Sequence, residues 1–238
     1  MRVAPTRQSP TAVVGGILLQ SDAFFWLDVA WQKILEKHGI EPPLHMTEFR
    51  PNGRFRDLRH DARRTLFSDL VRAINEHKTA TIAATLSTDQ YRRHFSELYR
   101  QKDFGVYGSC FILLAVLQGK YAQKEGYKDE IPFILDSGNN YRRHVVEAHS
   151  FLREHFQPSQ FANVGGLAFD TDEKVRALQA ADLVSWSVRR RIADKFNNGF
   201  ETLVDIFNPP HIEQPFEAGW MEDIATRLRA LRTQREQS

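Results

Sequence analysis

The segment Ala177-Leu178-Gln179-Ala180-Ala181-Asp182-Leu183-Val184-Ser185-Trp186 sets an acid into what reads as a buried helix. Ala177, Ala181, Val184, Val188 and Ile192 share one apolar face, and Leu178 and Asp182 stand on its shoulder. A carboxylate taken out of water is costly unless something pairs with it. Any fold of this chain must therefore bring a hydrogen-bond donor, an arginine or a metal to Asp182. Two readings stay open: a core-boundary acid bonded to backbone or arginine, and a functional carboxylate.

A second acid, Asp136, ends the apolar run Ile131-Pro132-Phe133-Ile134-Leu135 and precedes Ser137-Gly138. Ligands in open α/β sheets gather at the C-terminal ends of strands, but an Asp there also starts turns. A strand-end acid beside a helix acid is a way to hold Mg²⁺ or Mn²⁺. Such a centre suits metal-assisted cleavage of phosphodiesters. His45 and Glu48, three residues apart, share a face if their segment is helical. Glu48 is then a third metal carboxylate and His45 a phosphate contact or general acid; the alternative is a local hydrogen bond near a loop. Asp172 reads as a helix cap, and the role of Asp170 stays open.

The rest of the chain alternates strand and helix signals, which makes an α/β or α+β domain. Val13 to Leu19 reads as a buried strand whose Gly15-Gly16 suggest close approach of another backbone. A helix capped by Ser21 or Asp22 follows to about His38, with Phe25, Val29, Ile34 and Leu35 at helical spacing, and Gly39 stops it. Further helices are expected from Asp61 to Glu76, from Thr88 or Asp89 to Tyr99, and from Val106 to Gln123. Others run from Asn139 or Asn140 to Phe156, from Asp172 to Phe196, and from Met221 to Arg232. The Val106 helix is apolar nearly all round and so belongs in the core. Thr79 to Leu86 and Val164 to Phe169 are β-branched or apolar runs expected as strands.

Length and patterning fit one domain over 1–238, with a core at about 13–196 and a C-terminal extension at 197–238. No apolar run approaches the roughly 20 residues of a membrane span, and Met1 to Pro10 lack a signal-peptide core. The lone Cys110 excludes an internal disulfide framework and a cysteine zinc site. A cytosolic protein is expected. The formal charge of +2 does not itself require a nucleic-acid partner. Basic residues do cluster, around Arg54 and Arg56, at Arg92-Arg93, at Arg142-Arg143 and at Arg189-Arg190-Arg191. Guanidinium forks suit phosphate contact; acids nearby make solvated helix faces the other reading.

Four pieces in this order carry a resemblance: Val-Val-Gly-Gly-Ile-Leu, Leu-His-Met-Thr-Glu-Phe, Phe-Ile-Leu-Asp-Ser-Gly and Ala-Leu-Gln-Ala-Ala-Asp-Leu-Val-Ser-Trp. Together, over about Val13 to Arg191, they resemble the microbial "domain of unknown function 3800" family, which has a ribonuclease H-like fold. The resemblance implies a mixed β-sheet flanked by helices. It sets Asp136 as the strand acid, Asp182 as the helix acid and Glu48 near the third. It implies a divalent-metal-dependent nuclease holding Mg²⁺ or Mn²⁺, with DNA or RNA as partner; the arginine clusters, Arg142, Arg143, Arg54 and Arg56 among them, would then hold its backbone. The family's first strand, carrying Asp-Glu-Ser-Gly, has no counterpart here, since Met1 to Ala12 hold no acid. The chain is then expected either to start late or to have lost one carboxylate. On the second view it is a catalytically impaired nucleic-acid-binding or interaction module of a mobile-element or phage-defence system.

Overall fold

A computed structural model describes residues 11–94, 104–138, 140–155, 164–192, 206, 208–215 and 226. All of the expected helix from Met221 except residue 226, which is helical, the chain past His94 toward Tyr99, and Phe156 and Phe196 lie outside the described residues. So does most of the C-terminal extension.

The architecture is α/β. Strand β1 (Thr11–Leu18) leads to helix α1 (Ser21–Lys37), a 3₁₀ turn (Met46–Phe49), α2 (His60–His77) and β2 (Ala80–Ser87). Then come α3 (Thr88–His94), α4 (Gly105–Lys124), β3 (Ile131–Asp136), α5 (Arg142–His155), β4 (Val164–Asp170), α6 (Arg176–Ile192) and β5 (His211–Pro215). No described helix is long and apolar enough to cross a membrane.

Among the described residues the strands form two sheets rather than the single mixed sheet expected. One has the order β1-β2-β5, with β1 antiparallel and β5 parallel to β2. The other is the parallel pair β3-β4. Strand β5 was not foreseen; it lies in a stretch whose prolines, Pro209, Pro210 and Pro215, argue for a loop. Its only described partner is β2, far away in sequence, and an edge position tolerates proline.

Among the described residues two large buried clusters fill most of the interior, with a small third of Val13, Ala83 and Val188. One centres on α4 with β2, β3 and α5, and includes Phe111, Ile112, Leu113, Phe133 and Val145. As its sequence implies, α4 is buried nearly all round. The other joins α1, α2 and α6 through Leu27, Trp31, Leu66, Leu70, Leu183 and Val184. The inward stripe of α1 is Leu27, Trp31 and Leu35, spaced by one turn. Phe25, expected inside, is 59% exposed and meets Trp26 edge-on. Helix α1 packs on α2 and α6, and that contact leaves Phe25 on the outer face.

Helix α1 begins after Gln20 with no side-chain cap, so Ser21 and Asp22 do not serve as expected. It ends at Gly39, whose φ of 63° suits glycine. Gly15 carries the close approach foreseen for the Gly-Gly pair. A Cβ there would lie 2.9 Å from Ser185 Oγ and 3.1 Å from its Cα, whereas Gly16 faces open space. Helix α6 thus sits directly on β1.

Candidate functional site

Helix α6 is set in place at three points. Its first residue, Arg176, donates its backbone N–H to Asp28 Oδ1 at 2.9 Å and a guanidinium N–H to Asp28 Oδ2 at 2.7 Å. The cap of α6 therefore comes from α1, and Asp172, expected as that cap, is released for another use. One turn on, Gln179 is fully buried. Its Oε1 accepts from Trp31 Nε1 at 3.0 Å and from the Leu44 N–H at 3.1 Å, and its Nε2 donates to the Asp172 carbonyl at 2.8 Å. One amide thus ties α1, the segment before His45 and the turn holding Asp172. Two turns later Ser185 Oγ accepts from the Gly15 N–H at 3.0 Å and donates to the Gly15 carbonyl at 3.2 Å.

These anchors fix a cavity of about 640 Å³ between β1 and β3, with α4 on one side and α6 on the other. His45, Asp136, Asp172 and Asp182 all line it. Asp182 Oδ2 accepts from the Met46 N–H at 2.9 Å, which answers the question its helix position poses. Burial raises its pKa above the ordinary carboxylate value, and the Asp136 charge adds to that. The Met46 bond, His45 and Arg189 oppose the rise without cancelling it. Asp172 sits in the turn after β4, with its Oδ2 3.2 Å from His45 Nδ1. Its pKa is also raised, by burial first and then by the charges of Asp136 and Glu173, against the pull of His45. Asp136 is exposed at the end of β3, and its Oδ1 accepts from the Gly138 N–H at 3.0 Å. Each raised acid thus feels the same third carboxylate.

Glu48 does not line this cavity. Its Oε2 accepts from Arg54 at 2.8 Å and from the His45 N–H at 3.2 Å, so it closes its own turn. Asp170 accepts from the Thr171 N–H at 2.8 Å and also stands outside the lining. The third cavity acid is Asp172, which sequence reasoning took for a cap. The signal that could have found it is its position ten residues before Asp182, one loop from a strand end.

The four arginines expected on a nucleic-acid backbone each have a local partner. Arg54 pairs with Glu48 at 2.8 Å, Arg56 with Asp57 at 3.1 Å and Arg143 with Glu147 at 2.8 Å. Arg142 lies over the Phe169 ring at 4.5 Å. Tyr107, at the cavity, stacks on the half-exposed Tyr141 with ring centroids 4.6 Å apart.

The donor set consists of carboxylate oxygens that repel one another, with one imidazole. That chemistry suits a hard divalent cation. Among the described residues no three acids, histidines or cysteines come together closely enough to grip an ion at once. Mg²⁺ commonly takes only one or two carboxylates and completes its shell with water, so the residues fit such an ion. No protein-family model, curated protein or solved structure matches this chain.

Proposed function

We infer that the cavity is a divalent-cation centre for phosphodiester hydrolysis, and that the chain is a metal-dependent nuclease of ribonuclease H-like architecture. One observation carries the reading. Three carboxylates from separate elements, Asp136, Asp172 and Asp182, converge on one cavity, and two of them are held above their ordinary pKa by burial and by the charge of the third. Acids with raised pKa that share a cleft are candidates for a functional site, and a cation is the simplest group that relieves their repulsion.

Asp136 and Asp182 are the residues that would hold Mg²⁺ or Mn²⁺, with Asp172 behind them. Such an ion, when bound, supplies a Lewis acid for the phosphoryl group and lowers the pKa of water. The chain's own residues supply the rest. The Met46 N–H fixes the Asp182 carboxylate by one oxygen and leaves the other for a ligand. Asp172 Oδ2 lies 3.2 Å from Nδ1 of the 45% exposed His45 imidazole, a ring placed to hold or move a proton. Arg189, whose charge reaches Asp182, stands exposed near the centre as a phosphate contact.

The test is cleavage of labelled single-stranded, duplex and hybrid nucleic acids with Mn²⁺, comparing the chain with Asp182→Asn. The expected result is cleavage by the parent and a loss of at least a hundredfold in the variant. Equal cleavage by both, or none by either, would overturn the reading.

A further inference from the structure

The cavity between β1 and β3 has a second property, which the acid centre does not use. It lies between two sheet edges. Among the described residues β1 pairs only with β2, and β3 only with β4. Val14 through Leu19 and Ile131 through Asp136 line it consecutively, without the skip of one that contact with a strand's face would give.

The backbone directions agree. The Gly15 N–H and C=O both turn to Ser185, while the Leu18 carbonyl accepts from Thr79 beside β2. Strand groups alternate sides, so Val13, Gly15 and Ile17 aim theirs away from β2. On the other edge the Ser137 N–H donates to the Asp170 carbonyl at 2.8 Å, which sets the odd residues of β3 toward β4. Pro132, Ile134 and Asp136 then aim theirs away from β4. Pro132, which has no N–H to give, sits where β4 asks for none. Of the outward-aiming groups of Val13, Gly15, Ile17 and Ile134, only those of Gly15 are met among the described residues, and by a hydroxyl standing in for a strand. Open edges of this kind are templates for another strand.

We propose that this slot takes an extended polypeptide segment of another chain, which pairs with β1 and β3 at once and joins the two sheets into one. Its side chains would alternate between α4, with Phe111 and Leu114, and α6, with Ala181 and Ser185, so they are apolar. At the end where Asp136, Asp172 and Asp182 gather, the segment carries a lysine or arginine. Six residues suffice, since β3 is six residues long, or about 20 Å. Strand addition of this kind draws affinity from main-chain bonds and specificity from alternate side chains. The proposal does not depend on the cation reading, because its partners are backbone groups of Ile17 and Ile134; the segment's lysine meets the same acids as a cation would, so the test is made without divalent metal.

The experiment uses the full chain and two capped heptapeptides, Lys-Ala-Val-Ala-Val-Ala-Val and Val-Ala-Val-Ala-Val-Ala-Lys, because either direction of pairing is open. Amide hydrogen exchange is followed by NMR at Ile17 and Ile134, with Gly16 and Leu135 as strand-paired references. Without peptide, Ile17 and Ile134 are expected to exchange at least tenfold faster than the references. One peptide is expected to slow them at least tenfold, with saturable binding below 1 mM. Replacing its lysine by glutamate is expected to weaken binding at least fivefold. Ala181→Phe fills the slot and Ile134→Pro removes a slot-facing donor; each is expected to weaken binding at least tenfold while melting as the parent does. Failure of both peptides to slow exchange at 1 mM would overturn the proposal, as would undiminished binding by the folded variants. Ile17 and Ile134 as slow as the references without peptide would overturn it too, since the slot would then already be filled.

Discussion

Replacing Gln179 by leucine should be among the most damaging changes of similar size in this protein. The side chain is fully buried, and its Oε1 is the acceptor for both Trp31 Nε1 and the Leu44 N–H, which are themselves in fully buried residues. Leucine fills nearly the same volume, so no large cavity forms and the cost is that of the orphaned donors. Each buried donor left unpaired costs about 1–3 kcal/mol. Two of them give roughly 4 kcal/mol, against a total stability of about 5–15 kcal/mol for a domain. The Asp172 carbonyl, in a half-buried turn, can turn to water and adds little. Urea denaturation followed by circular dichroism measures the loss. A double-mutant cycle with Trp31→Phe isolates one bond, because the cavity left by the indole appears on both sides of the cycle. A coupling of about 1–3 kcal/mol is expected. A loss below about 1 kcal/mol for Gln179→Leu, or a coupling near zero, would refute the reasoning.

Three further outcomes follow. Asp182→Asn keeps an oxygen for the Met46 N–H and removes a charge that burial disfavours, so at pH 7 it should raise stability and Tm. Because the folded pKa of Asp182 is raised, the parent loses stability as pH climbs through the ordinary carboxylate value; the gain should vanish below about pH 4, and a variant less stable at pH 7 would contradict this. Burial alone would raise the Asp69 pKa, but hydrogen bonds from Lys37 at 2.7 Å and His38 at 2.9 Å, with the Arg72 charge, lower it on balance. Its contribution is therefore present above the ordinary carboxylate value and lost as pH falls below about 4, so acid unfolding should be shallower in Asp69→Asn; unchanged steepness would count against the cluster. Cys110 is fully buried, its thiol pushed up to about 12, and its Sγ donates to the Ala84 carbonyl at 3.1 Å. A soluble thiol reagent should leave it intact in the native protein and modify it in urea, and rapid native modification would show the site to be open.

Much of this architecture was legible because local pattern and burial agree. The stripe Leu66, Leu70, Val71 and Ile74 is buried as its spacing implies, and the run ending at Asp136 is a strand. What could not be read was set by distant partners. The start of α6 depends on Asp28, 148 residues away, and the local pattern without that cap places the start at Asp172. The sequence brought Asp136 and Asp182 into view as strand-end and helix acids, and they do share a cavity. Glu48 seemed equivalent by its distance from His45, yet Arg54, six residues on, takes its carboxylate. Gln179 stood one turn before Asp182 in the sequence, but its three bonds run to parts of the chain no local pattern connects. The division into two sheets rests on which strands stand beside each other, which periodicity does not encode.

The central claim is that Asp136 and Asp182 hold a divalent cation. Mn²⁺ binding, followed by electron paramagnetic resonance at pH 7, tests it most directly on the parent and on Asp136→Asn/Asp182→Asn. The account expects saturable binding by the parent that weakens at least tenfold in the double variant, with both proteins folded. Equal Mn²⁺ binding by the two, or none by the parent at millimolar Mn²⁺, would contradict it.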